Sequence, residues 1–422
     1  MFFALAFGLM AFVTSCNNDD NGDNGNGNGN GNGNGGGTIT KEGRITSDET
    51  WNSNNTYILK GRVVVNDGVT LTIQPGTLIK AETGQEANAS ALIVARGGKI
   101  NAVGNADNPI IFTSITDDIE RGQKVGSNLS KTDNELWGGV AILGAAPSST
   151  ENGDTEGNLE GILPSEGFGA YGGDQPGDNS GTLAYVSIRH GGISIGEGNE
   201  LNGLTLGGVG TGTSISNVEV YATLDDGIEC FGGTVNISNA LVFYQGDDGI
   251  DLDQNYSGTI NNFAVIHGDG IGTDEGLEID GPEGSTYTDG KFTLTNGVCM
   301  SEGSDGSAAD FKSGAQGNVS QVTFSYGDNE VKFRTKFEDN CDHKSDAYDN
   351  LLNGDLSLSN VSLSGGVEVY YGDVDDQANT SCPDELDDAQ DDAAAEVGTG
   401  NGSSFDYAST FSWTAAGQRG EL

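Results

Sequence analysis

Positive charge is scarce in this sequence: eighteen Lys and Arg stand against sixty-three Asp and Glu, a formal net charge of −45. So acidic a surface is repelled by nucleic-acid phosphates and by bare anionic lipid, which excludes both as partners of a protein face. It suits an extracellular protein that meets divalent cations or neutral glycans. Apolar residues are few as well, 34% of 422, with aromatics at 7%, so an elongated fold with a thin core fits better than a wide globule. Prolines number only seven against 69 glycines, and no amphipathic helical period is legible before residue 383. Long apolar runs are missing too. The one candidate, Met1 to Val13, has thirteen residues, too few to cross a bilayer as a helix.

That run is instead a secretory h-region, and residues 1–15 read as a lipoprotein-type signal peptide. Its end, VTSC, resembles a bacterial lipobox, which would make Cys16 the diacylated first residue of the mature chain. No Lys or Arg precedes Lys41, so the usual positive n-region is missing and the true start is expected a few residues upstream. Residues 17–37, NNDDNGDNGNGNGNGNGNGGG, have no apolar groups to bury and act with Cys16 as a flexible tether. A tether of that length reaches roughly 25 Å on average. Asn17 to Asp20 resembles the export signal that sends Bacteroidota lipoproteins to the cell surface. The expected location is therefore the outer membrane, lipid-anchored and facing the exterior.

From residue 38 to 422 the pattern is strands and turns. VTLTI (69–73), ALIVA (91–95), PIIFTSI (109–115) and GVAIL (139–143) are β-branched runs punctuated by Gly, Asn and Asp. Two registers then repeat. SISN (214–217), NISN (236–239), TINN (259–262), TLTN (293–296) and SLSN (357–360) each end a short alternating strand in Asn. DDGIEC (225–230), DDGIDL (247–252) and DEGLEI (274–279) follow, with a weaker SDGSAA (304–309). The glycines of that register step by 22, 27 and 30 residues, the period of a β-solenoid coil lengthened by loops. The fold predicted is all-β, a single-stranded right-handed parallel β-helix with loop insertions, the largest an acidic one at about 338–404. Stacked Asn side chains would bond from coil to coil, and Gly after Asp-Asp would make a corner with positive φ. Alternation points Ile228, Cys230, Ile250, Leu252, Leu277 and Ile279 inward.

NSGTLAYVSIRHGG (179–192), ELNGLTLGGVGTGTSISNVEVY (200–221) and DDGIECFGGTVNISNALV (225–242) resemble a family of Bacteroidota surface lipoproteins with a right-handed parallel β-helix. VTLTIQPGTLIK, WGGVAILGAAP and FSWTAAG match as well, extending the resemblance over most of residues 38–422. It implies fold and location rather than chemistry.

Four further cysteines remain. Cys230 and Cys299 fall three coils apart on different strands, about 14 Å, too far for a disulfide, and read as small buried hydrophobes. Cys341 and Cys382, in FEDNCDHK and NTSCPDE, read as a disulfide closing the acidic insertion, worth about 4 kcal/mol in the chain-entropy model.

An enzyme reading has thin support. GDD (246–248) and HG (267–268) resemble fragments of the polygalacturonase signature, without its Asn-Thr-Asp or Arg-Ile-Lys. A calcium-dependent polysaccharide lyase needs an Arg or Lys base, yet none lies between Arg189 and Lys291, a stretch with seventeen acidic residues. His190 and His267 fit structural roles at turns better than catalysis. No catalytic residue is assigned. Lys332, Arg334 and Lys336 share one face of VKFRTKF (331–337), either to grip an anionic glycan or to neutralise acids such as Asp310 in the next coil; the second is preferred. PDELDDAQDDAAAEV (383–397) reads as a short helix opening at Pro383. Glu229, Asp251 and Glu278 stack outward, with Asp253 and Asp280 as a second row. Hydrated, the rows would only repel; calcium, with its preference for hard oxygen ligands, would relieve them as a structural ion. The function favoured is a binding or accessory module for glycans or another surface protein; the rivals are a lyase or glycoside hydrolase, and an adhesin.

Replacing Cys16 with Ser is expected to block lipid processing and release soluble protein. Membrane fractionation and metabolic lipid labelling check this; a Ser variant that stays membrane-bound and normally processed overturns the anchor.

Overall fold

The computed structural model describes residues 36–84, 88–196, 199–268, 274–301, 306–326, 331–338, 340–371 and 382–422. Cys16, the expected signal segment and the expected tether up to residue 35 lie outside the described residues. Gly36 to Leu422 form one compact unit, in which strands pair in parallel from coil to coil, as the repeat requires. The chain is a parallel β-helix.

Each coil contributes to three sheets. From the fourth coil on, a long strand such as Ser214–Tyr221, Asn236–Phe243 or Thr259–His267 supplies two of them, and a short strand such as Ile228–Phe231 or Ile250–Asp253 the third. The long strands turn from one sheet to the next at a residue of positive φ: Asn217, Asn239, Asn262, Asn296 and Asn360, with Tyr185 and Gln321 in the same place. The Asn register thus does not end its strands but bends them. Asn tolerates the left-handed conformation, and its amide is used at once. Asn239 Nδ2 donates to Asn217 Oδ1 at 3.1 Å, Asn262 to Asn239 at 3.0 Å and Asn296 to Asn262 at 2.7 Å.

The Asp-Asp-Gly corners correct one expectation. Gly227 and Gly249 do not have positive φ. They are Gly because there is no room. A Cβ on Gly227 would lie 2.2 Å from Val242 Cγ1 and 2.6 Å from the Gly249 carbonyl oxygen; one on Gly249 would meet Val265 at 2.3 Å. Behind them Ile228, Ile250 and Leu277 stack in the core, as do Cys230, Leu252 and Ile279. Cys230 and Cys299 are buried, unbonded and on different sheets.

The outer faces are dressed differently. On the sheet that follows each Asn, a tail of two short helices, α3 (Tyr407–Thr410) and α4 (Ala415–Arg419), packs Phe411, Ala415 and Ala416 onto Leu241, Phe243 and Ala264. Buried Glu219 holds α4 by accepting from the amides of Ala415 and Ala416, at 2.9 and 3.0 Å. Buried Arg189 sits 3.8 Å from Glu219. At the far end, residues 338–404 are less loop-rich than the sequence suggests. Leu356–Leu363 and Val367–Tyr371 are a further coil. A seven-residue helix, α1 (Ala347–Asn353), precedes it, too short to show a period but capped by Asp346. The helix α2 (Pro383–Glu396) follows, burying Leu386, Ala389 and Ala393 against the last coil. Cys341 and Cys382 are disulfide-bonded, Cα atoms 5.7 Å apart.

Two substitutions separate the roles of the Asn bend. Asn239→Ala loses the side-chain bonds and must hold positive φ with a Cβ; it is expected to cost about 2–3 kcal/mol. Asn239→Gly loses only the bonds and should cost about 1 kcal/mol less. Urea unfolding checks the order, and equal losses would remove the conformational part of the account.

Candidate functional site

The short strands carry one central outward position per coil. In register it reads Val64, Ile93, Ala141, Thr205, Glu229, Asp251, Glu278, Asp310, Lys332. The apolar end is covered. A lobe inserted after Val140–Leu143 folds its hairpin, Glu156–Asn158 with Ala170–Gly172, so that Leu159, Ile162, Phe168 and Tyr171 pack over Val64, Ile93 and Ala141. A second hairpin, Ile193–Gly196 with Asn199–Leu201, adds Ile193 and Leu201 to the same cluster.

The rims of the lobe and hairpin wall in the acids beyond them. Glu160 from the lobe and Glu200 from the hairpin join Asn202, Asp225, Asp226, Glu229, Asp247, Asp248, Asp251 and Glu278 around a cleft of about 150 Å³. Glu229 and Asp251 are therefore not on a hydrated face: each is only 8% exposed. The row itself was legible, but the cover comes from insertions up to four coils away in the fold.

Two systems keep this charge together. The first is a ladder of corner acids that serve the backbone. Asp226 Oδ1 accepts the Asp248 amide at 3.0 Å, Asp248 Oδ1 that of Glu275 at 2.6 Å, and Glu275 Oε2 that of Ser307 at 3.1 Å. The second is a set of cations from later coils. Lys312 pairs with Glu278 and lies 3.7 Å from Asp280. Lys332 meets Glu275 at 3.0 Å, and Arg334 forks onto Asp310 through Nε at 2.8 Å and through Nη2. Lys332 and Arg334 are thus held by carboxylates, the neutralising arrangement. Lys336 lies farther along that strand, opposite Lys344 of a short antiparallel strand.

What remains is concentrated. Asp226, Glu229 and Asp251, all buried, each offer an oxygen within 4.8 Å of the others. Glu229 accepts from Asn202 Nδ2. Asp251 Oδ1 is buried and accepts no hydrogen bond among the described residues. Burial, with neighbouring carboxylates, raises the pKa of all three well above the ordinary carboxylate value. Burial, chiefly, also raises Asp225, Asp253 and Asp280 to about 7 and Asp247 to about 6. Such a cluster holds protons or a cation. Of the five carboxylates named from sequence, Glu229 and Asp251 belong to the triad and Glu278 lines the same cleft. Asp253 and Asp280 form the adjoining row, where Asp253 Oδ1 accepts the Gln254 amide. Asp226 was visible as the second Asp of its register yet read only as a corner; Glu160 and Glu200 carried no signal. The histidines play no part. His190 Nδ1 lies 2.5 Å from the Asp133 carbonyl oxygen, and burial lowers its pKa to about 4. His267 packs edge-on against Tyr326, with burial lowering it to about 3.

The sequence matches the profile of the pectate-lyase-like beta helix domain over residues 43–417. No curated protein and no solved structure matches the chain.

The raised carboxylates give stability a definite pH slope when divalent cations are chelated. In the unfolded chain the aspartates ionise near the ordinary 3.8, while burial raises Asp225, Asp253 and Asp280 in the fold to about 7. Between those values the unfolded state binds fewer protons, so stability is highest below about 4 for these groups and falls as pH rises to about 7. The urea midpoint in chelator is expected to be lower at pH 8 than at pH 5; a midpoint that rises across the window overturns the assignment.

Proposed function

The chain belongs to the pectate-lyase-like β-helix family, and from that premise we propose that it is a lipid-anchored, non-catalytic binding module whose acidic cleft takes calcium. The observation that carries the cleft is the triad of Asp226, Glu229 and Asp251, with Asp251 Oδ1 buried and without a hydrogen bond among the described residues. A buried carboxylate oxygen without a donor is costly, and a hard divalent cation satisfies it while cancelling the repulsion among three acids. Glu278, Asp247 and Glu200 line the same cleft and supply further oxygens.

Catalysis is the weaker reading because of the cations. A lyase needs a base able to reach a bound sugar, and Lys312, Lys332 and Arg334 are each paired with a carboxylate. Binding asks only for oxygens and a shaped cleft. The anchor rests on VTSC ending in Cys16 and on the Asn/Gly-rich tether, which would hold the module at the outer membrane of a Bacteroidota-type cell, facing outward toward glycans or another surface protein.

Millimolar calcium is expected to raise the melting temperature of the wild type by roughly 2–4 °C over chelator. Asp251→Asn should abolish that shift, because Asp251 Oδ1 has no backbone duty, whereas Asp387→Asn on the exposed face of the last long helix should keep it. No calcium-dependent shift in the wild type, or an equal one in Asp251→Asn, would leave the cleft as solenoid architecture.

A further inference from the structure

The cleft leaves unused the strand segments that lead into each Asn bend. Their outward positions form two rows. The first runs through ten coils from Thr50 to Ser357, by way of Thr72, Asn101 and Thr182 in the early coils, and every position is Ser, Thr or Asn. The second is Ser, Thr or Asn through the six coils from Ser216 to Ser359, and in the two earlier coils the same register holds Ala184 and Val103. Neither row contains a charge, in a chain with 81 charged side chains (18 plus 63) among 422 residues. From Thr50 to Ser357 and from Ser216 to Ser359, neither contains an apolar side chain.

Among the described residues this face is also the bare one. The lobe covers the short-strand sheet and the C-terminal tail covers the sheet beyond the Asn bends. Among the described residues no apolar cluster lies on this third face. Thr50, Ser214, Asn236, Asn318 and Ser359 are exposed and the rest of the rows half-buried. Beside the middle coils the face deepens into a groove of about 550 Å³, walled by Thr211 and Thr213 and floored by Ser214, Asn236, Ser238 and Thr259.

The chemistry of such a face selects its partner. Cations are drawn to the acids elsewhere, and anions are repelled by the net charge. A protein partner would find only Val103, exposed at the early end, and among the described residues no apolar or aromatic anchor over the six coils from Ser216 to Ser359, whereas such groups carry most protein interfaces. Hydroxyls and amides both donate and accept, so they suit a partner whose groups do the same. Neighbours along the rows already hold one another in place: Ser320 Oγ donates to Thr295 Oγ1 at 2.9 Å, and Ser357 Oγ to Asn318 Oδ1 at 2.8 Å. The first row repeats about every 4.8 Å over about 43 Å, so weak contacts to an extended polymer add along its length. We propose that this charge-free ribbon binds an uncharged polysaccharide chain lying along the helix axis. The proposal rests on the binding-module reading but not on the cleft or on calcium.

Affinity electrophoresis through gels containing mixed-linkage β-glucan, xyloglucan or galactomannan tests it, with polygalacturonate as the charged comparator. The full chain is run in chelator and in calcium. Retardation of the wild type by a neutral glycan in chelator, kept in Asp251→Asn, is expected. Ser214→Lys/Thr259→Lys should weaken it about tenfold. Thr259→Val/Thr293→Val, which removes hydroxyls without adding bulk, should weaken it in the same direction and serves if the lysine variant melts early. No retardation in any neutral gel overturns the proposal, while the calcium shift still judges the cleft independently. Retardation lost in Asp251→Asn but kept in both ribbon variants moves the glycan to the cleft and overturns it too. So does a dimer in sedimentation that the lysine variant dissolves, which would make a second copy the occupant.

Discussion

Parallel register is the constraint on which everything else depends. Each coil must hydrogen-bond to the next about 4.8 Å away, so whatever one coil places on a face the next coil repeats beside it. For Asn this is gain: the amides of residues 217, 239, 262 and 296 bond in a line, and the same residues tolerate the positive φ that bends the strand. For Ser and Thr it is neutral. For Glu and Asp it is a cost that rises as water is removed.

The acidic faces carry several responses to that cost. Where an acid can serve the backbone it does, as Asp226, Asp248 and Glu275 do for the amides of the following coil. Where a later coil can supply a cation it does, and Lys312, Lys332 and Arg334 draw in Glu278, Glu275 and Asp310. Among the described residues no Lys or Arg forms an ion pair with the triad of Asp226, Glu229 and Asp251, although the lobe and hairpin remove it from water. An uncompensated, partly desolvated cluster in an otherwise well-paired fold is where a ligand has most to gain. That asymmetry, not the abundance of acid, distinguishes the cleft from the rest of this surface.

Three sheets give three surfaces with different duties. One is sealed by the C-terminal tail, whose α4 amides are held by Glu219, a buried acid whose own neighbours are Ser187 and Arg189. One carries the lobe and the cleft. The third is an open lattice of hydroxyls and amides. A solenoid can divide its labour in this way because each face is written by its own positions in the repeat.

Much of this was legible before folding. Alternation with a period near 22 fixed the solenoid, the inward stacks of Ile250 and Leu252, and the outward row of Glu229, Asp251 and Glu278, because those depend only on neighbours in sequence and on the next coil. Cys341 and Cys382 stood out as a pair for the same reason: Cys230 and Cys299 were excluded by the coil count. The corner glycines were found but misread, since only packing reveals that Val242 and Val265 leave no room for a Cβ. What the tertiary structure alone decided was which acids lose their water. Glu160 and Glu200 come from insertions with no repeat of their own, and nothing local says which coil an insertion will cover. Burial depends on distant chain meeting in space, so periodicity wrote the faces and only the fold could turn one of them into a cleft.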